Sequence, residues 1–194
     1  IMGGQIREQG IREMAEAGKQ RGYEYLTVAE YIASDDLPER FVVLRHDVDR
    51  MPARALRMAR VEADHDVRST FYYRTSTYEM DRCLLVARLG HEVGYHYEDY
   101  VRTNGDLEAA HDRFARNLER FRRDHPTPIR TVCMHGNPLS PYDNRAMWTD
   151  PAAPSFEDYG LLGEAYLSMD FVDVDYFSDT GRTWRDGALK IKDH

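Results

Sequence analysis

The chain has 194 residues and a mass of 22.6 kDa, which is room for one domain with a sizeable core. At 42% hydrophobic and 31% charged residues it is too apolar for a disordered protein, so we expect one folded domain over residues 1–194, with its core at about 40–180. Acidic residues outnumber basic ones by 34 to 26, and the net charge of −8 argues against nucleic acids and anionic membranes as partners.

The chain carries no sign of membrane insertion or secretion. No apolar run approaches the roughly 20 residues of a membrane span, so none is predicted. The N-terminus lacks the basic start and apolar stretch of a signal peptide, and two cysteines, Cys83 and Cys133, do not make a disulfide framework. We therefore expect a cytoplasmic location. The C-terminus shows no stop signal, which is consistent with a piece of a longer protein.

The first third of the chain predicts two helices and a buried strand. Residues 5–21 have helix-forming composition, and Gly22 follows where a left-handed terminal residue belongs. Thr27 and Glu30 have the spacing of a capping box, which predicts a short second helix. The apolar run at 41–44 is typical of a strand buried on both faces, so we expect a central parallel strand there.

Helices and strands then alternate as far as residue 134. Pro52 suits the first turn of a helix, and the β-branched and aromatic residues at 69–73 predict the next strand. A helix at 82–89, a strand at 92–97, a helix with an apolar stripe from Leu107 to Phe121, and a strand at 129–134 follow. This alternation predicts an α/β fold with a parallel sheet, either open or closed into a barrel.

Three polar clusters lie at the ends of predicted strands, where parallel α/β proteins carry their functional residues. The first contains Asp47 and Asp49, which point to the same side if the extended backbone continues. Two such carboxylates repel each other unless a cation or a proton separates them. The second and third contribute His96 and His135, both competent metal ligands. A capping Asp pair and packed histidines are the structural alternatives.

These clusters resemble those of the NodB-homology polysaccharide deacetylases, over about residues 40–134. Asp47 and Asp49 match the family's catalytic base and metal ligand. The stretch Gly-His-Glu-Val-Gly-Tyr-His at 90–96 is similar to the family's second motif, with His96 in the first metal-histidine position. Taken whole, the chain is similar to a divergent branch of these enzymes that is associated with bacterial surface-polysaccharide synthesis.

The resemblance implies a fold, an activity and a cofactor. The fold is a distorted (β/α) barrel, of which the C-terminal part is missing if the chain is a piece. The activity is removal of an N-acetyl or related acyl group from a sugar or polysaccharide precursor, and the cofactor is a divalent metal, expected to be Zn²⁺. The family's second metal histidine falls on Tyr100, so another residue must complete the site. The expected ligands are Asp49, His96 and a third residue, for which His135 is the first choice and His46 and Glu98 are the alternatives.

The resemblance also implies catalytic and substrate-binding residues. Asp47 is the expected base and His135 the candidate acid; if His135 is not the acid, we expect the acid to lie outside these residues. The family's arginine-proline motif is not found, and its late Leu-Xaa-His, the usual source of the acid, is absent from these residues. The candidate substrate-binding residues are Tyr100, Asn137, Arg182 and Trp184.

Other functions fit part of this pattern. A deacetylase fold that has lost its metal and only binds glycans is consistent with the substitution at Tyr100. A nucleotide-sugar glycosyltransferase uses an Asp-Xaa-Asp pair to hold a cation against a diphosphate, but it gives no role to His96. An aspartyl phosphatase is disfavoured because Met51 stands where that family usually has Thr.

Overall fold

The computed structural model describes residues 2–125, 127–172 and 174–177. Helices and strands alternate along these residues. The helices are α1 (Met2–Gln20), α2 (Val28–Ala33), α3 (Pro52–Asp64), α4 (Met80–Arg88), α5 (Asp99–Arg102) and α6 (Leu107–Asp124). The strands are β1 (Glu24–Leu26), β2 (Phe41–Val43), β3 (Arg45–Val48), β4 (Thr70–Tyr73), β5 (Glu92–Tyr97), β6 (Thr131–Met134) and β7 (Gly163–Glu164). Among the helices described here, none has the length and apolarity needed to cross a bilayer.

Two parallel sheets organise the chain. Strands β1 and β2 form a two-stranded sheet, and β3 to β7 form a five-stranded sheet whose spatial order is the order along the chain. A sheet whose strand order follows the chain in one direction is singly wound, whereas the strand order of a doubly wound sheet reverses. The parallel pairing of all five strands confirms the predicted α/β fold with a parallel sheet. Within the described residues β3 and β7 are the two edges of this sheet.

Local signals in the sequence set several helix ends. The Thr27 hydroxyl accepts from the Glu30 amide, and the Glu30 carboxylate accepts from the Thr27 amide, which is the predicted capping box at the start of α2. Pro52 is the first residue of α3, where its missing amide hydrogen costs nothing. Gly90 ends the turn after α4 with a φ of 93°, a conformation that favours glycine.

The two faces of the five-stranded sheet differ in chemistry, because alternate residues of a strand point to opposite faces. One face is aromatic and aliphatic and packs on the helices, as Tyr95 does on Phe121 of α6. The other face is polar although buried. Here the Glu92 carboxylate accepts hydrogen bonds from the hydroxyls of Thr70 at 2.8 Å and Thr131 at 2.5 Å. Asp47 and His96 belong to this polar face, so the pattern of alternation brings them to the same side of the sheet.

The prediction that residues 41–44 form a strand of the main sheet is wrong. Phe41–Val43 pairs with Glu24–Leu26 in the small sheet, and the strand beside β4 is Arg45–Val48. The first polar cluster is therefore not a loop that follows a strand. Asp47 lies within β3, and Asp49 is the residue that follows it. A short apolar run indicates a strand, but its pairing partner depends on residues far away in the sequence.

Gly94 is required by close packing on the polar face. A Cβ atom at this position would clash with the ring of Tyr72 on β4 and would lie 2.8 Å from the carbonyl oxygen of Thr131 on β6. The missing side chain leaves room for Tyr72, whose hydroxyl bonds the Thr131 hydroxyl at 2.6 Å. Because Gly94 is two residues before His96 on β5, this packing fixes the strand that carries the histidine.

Candidate metal centre

Three potential metal ligands converge at the carboxyl ends of the strands. Asp49 follows β3, His96 is near the end of β5, and His135 follows β6. The Asp49 Oδ1 atom lies 3.4 Å from His96 Nε2 and 3.0 Å from His135 Nδ1. The two imidazole nitrogens are 3.2 Å apart. The three atoms therefore form a compact triangle, which we call the ligand triangle.

Backbone contacts hold both histidines in place. His96 Nδ1 lies 2.9 Å from the Cys133 carbonyl oxygen. Since a carbonyl only accepts, Nδ1 carries the proton and Nε2 presents its lone pair to the triangle in the neutral ring. The His135 amide donates to the Tyr97 carbonyl at 2.7 Å, and the His135 carbonyl accepts from the Asn144 side chain at 2.7 Å. The Cys133 carbonyl thus orients the His96 ring, while Tyr97 and Asn144 fix the backbone of His135.

The size of the ligand triangle matches one face of a tetrahedral zinc site. Zinc bonds to nitrogen and carboxylate oxygen are about 2.0–2.2 Å long, so two ligands of a tetrahedral ion lie about 3.3 Å apart. The observed sides are 3.0, 3.2 and 3.4 Å. One carboxylate and two imidazoles are also a donor set that zinc favours. A catalytic zinc ion has three protein ligands and keeps its fourth position for water or substrate.

The electrostatics of the triangle keep the carboxylate ionised. Burial by itself would raise the pKa of Asp49, but hydrogen bonds and charge from His135 and His96 outweigh burial and hold that pKa well below its usual range. Burial by itself would lower the pKa of His96, but Asp47 and Asp49 outweigh it and raise that pKa. Asp47 and Asp49 thus both favour the protonated form of His96, the buried histidine of the triangle.

Asp47 is close to the triangle but has its own partner. Arg45 Nη2 lies 3.1 Å from Asp47 Oδ2, and the same nitrogen lies 2.5 Å from the Tyr166 hydroxyl. The Arg45 guanidinium also stacks 4.3 Å from the centre of the Tyr166 ring.

Asp47, His96 and Cys133 form a second group with metal-ligand spacing. Burial raises the pKa of the Cys133 thiol well above its usual value, and Cys133 Sγ lies 4.0 Å from Asp47 Oδ2.

His46 and Glu98, the alternatives for the third ligand, lie outside the triangle. His46 Nε2 is 2.6 Å from Glu62 Oε1 on α3, and the His46 ring packs on Phe71. It therefore belongs to the apolar face of the sheet. Glu98 lies 2.8 Å from Arg74 and 3.1 Å from Arg102. Burial would raise the pKa of Glu98, but the two arginines outweigh it and lower that pKa.

Two of the four candidate substrate-binding residues, Tyr100 and Asn137, are among the described residues. The Tyr100 ring packs edge-on against Tyr142, with 5.7 Å between ring centres. Asn137 lines a pocket next to His135, and its Oδ1 atom accepts from the Leu139 amide. Arg182 and Trp184 lie outside the described residues.

Arg74 is a residue of this region that sequence reasoning missed. It directly follows β4, so the same strand-end argument that selects Asp49 and His135 also selects Arg74. It lines the pocket beside His135 together with Arg102. No sequence signal connects Arg102 with this pocket, because its position depends on how α5 packs.

No protein-family model, curated protein or solved structure matches the chain.

Proposed function

We propose that the protein is a metal-dependent deacetylase that hydrolyses the amide bond of an N-acetylated or similarly acylated sugar. The ligand triangle of Asp49, His96 and His135 carries this proposal, because its size and its donor set fit a zinc ion with an open fourth position. The once-wound parallel sheet with the triangle at its carboxyl end supports a (β/α) barrel of the deacetylase type.

In this proposal Zn²⁺ held by the three side chains would polarise the amide carbonyl and lower the pKa of a bound water towards about 7. Asp47 takes the proton of the attacking water. Arg45 Nη2, 3.1 Å from Asp47 Oδ2, holds the Asp47 carboxylate on the polar face beside His96. Hydrolysis consumes one water, breaks the C–N bond and releases a carboxylate and an amine.

His135 acts as a ligand in this scheme. Its Nδ1 atom is 3.0 Å from Asp49 and 3.2 Å from His96 Nε2. This nitrogen would therefore bind the metal ion and could not also act on the substrate. The proton for the departing amine then comes from a group other than His135 Nδ1. The substitution at Tyr100 is compatible with activity, because His135 supplies the ligand that the family takes from the second motif.

The experiment compares metal content and deacetylation in the wild-type protein and two variants. Asp49→Asn should lose zinc and activity together. Asp47→Asn should keep its zinc and lose about 10²- to 10⁴-fold in turnover, since it removes only the base. Acetate release from N-acetylated sugars and metal analysis are the measurements. Full activity of Asp47→Asn would refute the assignment of the base, and tight zinc binding by Asp49→Asn would refute the site.

Two alternatives are weaker. In a nucleotide-sugar glycosyltransferase both aspartates of the Asp-Xaa-Asp pair serve one cation, but here Asp47 contacts Arg45 while Asp49 contacts two histidines. In a glycan-binding fold without metal, only hydrogen bonds would hold the Asp49 carboxylate beside the two imidazoles, and zinc uptake by the wild-type protein would exclude it.

A further inference from the structure

A pocket of about 500 Å³ adjoins the ligand triangle. It lies at the carboxyl end of the sheet, because Arg74 follows β4, Glu98 follows β5, and His135 and Asn137 follow β6. Arg102 of α5 completes its charged lining. His135 belongs to both the pocket and the triangle, so one small molecule can reach both.

The pocket has an excess of positive charge. Its lining includes two guanidinium groups, Arg74 and Arg102, and one carboxylate, Glu98, among the residues that the structure describes. Arg74 Nη2 contacts both Glu98 oxygens, at 2.8 and 2.9 Å, and Arg102 Nη2 contacts one of them at 3.1 Å. One unit of positive charge is left over, although the protein as a whole has a net charge of −8.

The two arginines also have unused hydrogen-bond donors. A guanidinium has five N–H donors. Among the described residues, the guanidinium groups of Arg74 and Arg102 each donate hydrogen bonds only from Nη2, and only to the Glu98 carboxylate. Arg74 Nε is buried and has no partner among the described residues. A carboxylate needs only one arginine for a paired contact, and an ion pair as exposed as that of Arg102 contributes little to stability. Holding Glu98 therefore does not account for both arginines.

We propose that this pocket binds an oxyanion group of the substrate, a phosphate or a carboxylate, so that the sugar deacetylated at the triangle is an acidic one. This inference rests on the proposed function. The planar fork of arginine suits both oxyanions, since it donates two parallel hydrogen bonds to them. The Asn137 amide, which also lines the pocket, adds a neutral donor.

The test measures binding of inorganic phosphate and of acetate to the full chain, treated with chelator so that neither anion can bind through a metal. Arg102→Gln should weaken binding of the preferred anion about tenfold or more, because it removes a charged donor. Arg60→Gln is the matched control, since Arg60 is exposed on α3, does not line the pocket, and carries the same charge. It should change the affinity less than twofold.

Glu98→Gln gives a second readout with the opposite sign. It removes the one carboxylate among the described lining residues, so anion binding should become severalfold tighter. If the arginines only support the local structure, Arg102→Gln and Glu98→Gln change binding in the same direction or leave it unchanged, which overturns the proposal. Tighter binding of phosphate supports a phosphorylated sugar, and tighter binding of acetate supports a sugar acid.

Failure of this inference is distinguishable from failure of the proposed function. If zinc binds and neutral N-acetylated sugars are hydrolysed as well as acidic ones, while neither anion binds, only the oxyanion pocket is wrong. If phosphate or acetate binds in an Arg102-dependent way but the protein never takes up zinc, only the deacetylase proposal is wrong.

Discussion

Asp49→Asn is expected to abolish the stabilisation of the fold by zinc. The three ligands come from the ends of β3, β5 and β6, so only the folded chain brings them within 3.4 Å of one another. A metal that binds the folded chain but not the unfolded chain raises the free energy of unfolding by about 2.7 kcal/mol when its free concentration is one hundred times its Kd. For a chain of this length each kcal/mol raises Tm by roughly 2–4 °C. Zinc should therefore raise the Tm of the wild-type protein by about 5–11 °C.

The variant keeps the shape of the side chain but replaces an anionic oxygen ligand with a neutral amide. Two imidazoles remain, and the same zinc concentration should leave the Tm of Asp49→Asn nearly unchanged. Thermal unfolding followed by circular dichroism, with zinc and with chelator, is the assay. Asp35→Asn is the matched control, because Asp35 is an exposed loop residue outside the triangle, and it should respond to zinc as the wild type does.

Two results would refute this reasoning. If zinc raises the Tm of Asp49→Asn as much as that of the wild type, the metal binds elsewhere. If zinc has no effect on the wild type while the fold is intact, the ligand triangle is not a metal site, and its carboxylate and imidazoles are held together by hydrogen bonds alone.

Two further predictions concern stability. Gly94→Ala should lower the free energy of unfolding by about 1–3 kcal/mol, because the added methyl group meets the Tyr72 ring and the fixed Thr131 carbonyl; an unchanged midpoint of urea unfolding would contradict this. Burial raises the pKa of Asp99 to about 6, although the hydrogen bond from Tyr95 opposes the shift. The native chain then binds its proton more tightly than the unfolded chain, so Asp99 should cost about 2–3 kcal/mol of stability as the pH rises from about 4 to about 6. Urea unfolding at a series of pH values should show this slope in the wild type relative to Asp99→Asn, and a pH-independent difference would count against it.

Much of the fold follows from signals within short stretches of sequence. The stripe on α6 and the capping box of α2 depend on spacings of three or four residues, and the structure has both. The strand predicted at 92–97 has those bounds. The convergence of Asp49, His96 and His135 was also predictable, because parallel strands end at one edge of a sheet and each of these residues is at or near a strand end.

The tertiary structure alone decided the pairing of the first strands and the choice of the third ligand. The sequence could not assign Phe41–Val43 to the small sheet, because pairing with Glu24–Leu26 is a choice between distant segments. It favoured His135 as the third ligand but left His46 and Glu98 as alternatives. His46 lies on the opposite face of β3, where it contacts Glu62, and two arginines hold Glu98. Of the three, only His135 lies next to Asp49 and His96. These outcomes depend on charges and backbone groups that come from other elements, and a local pattern carries no information about such neighbours.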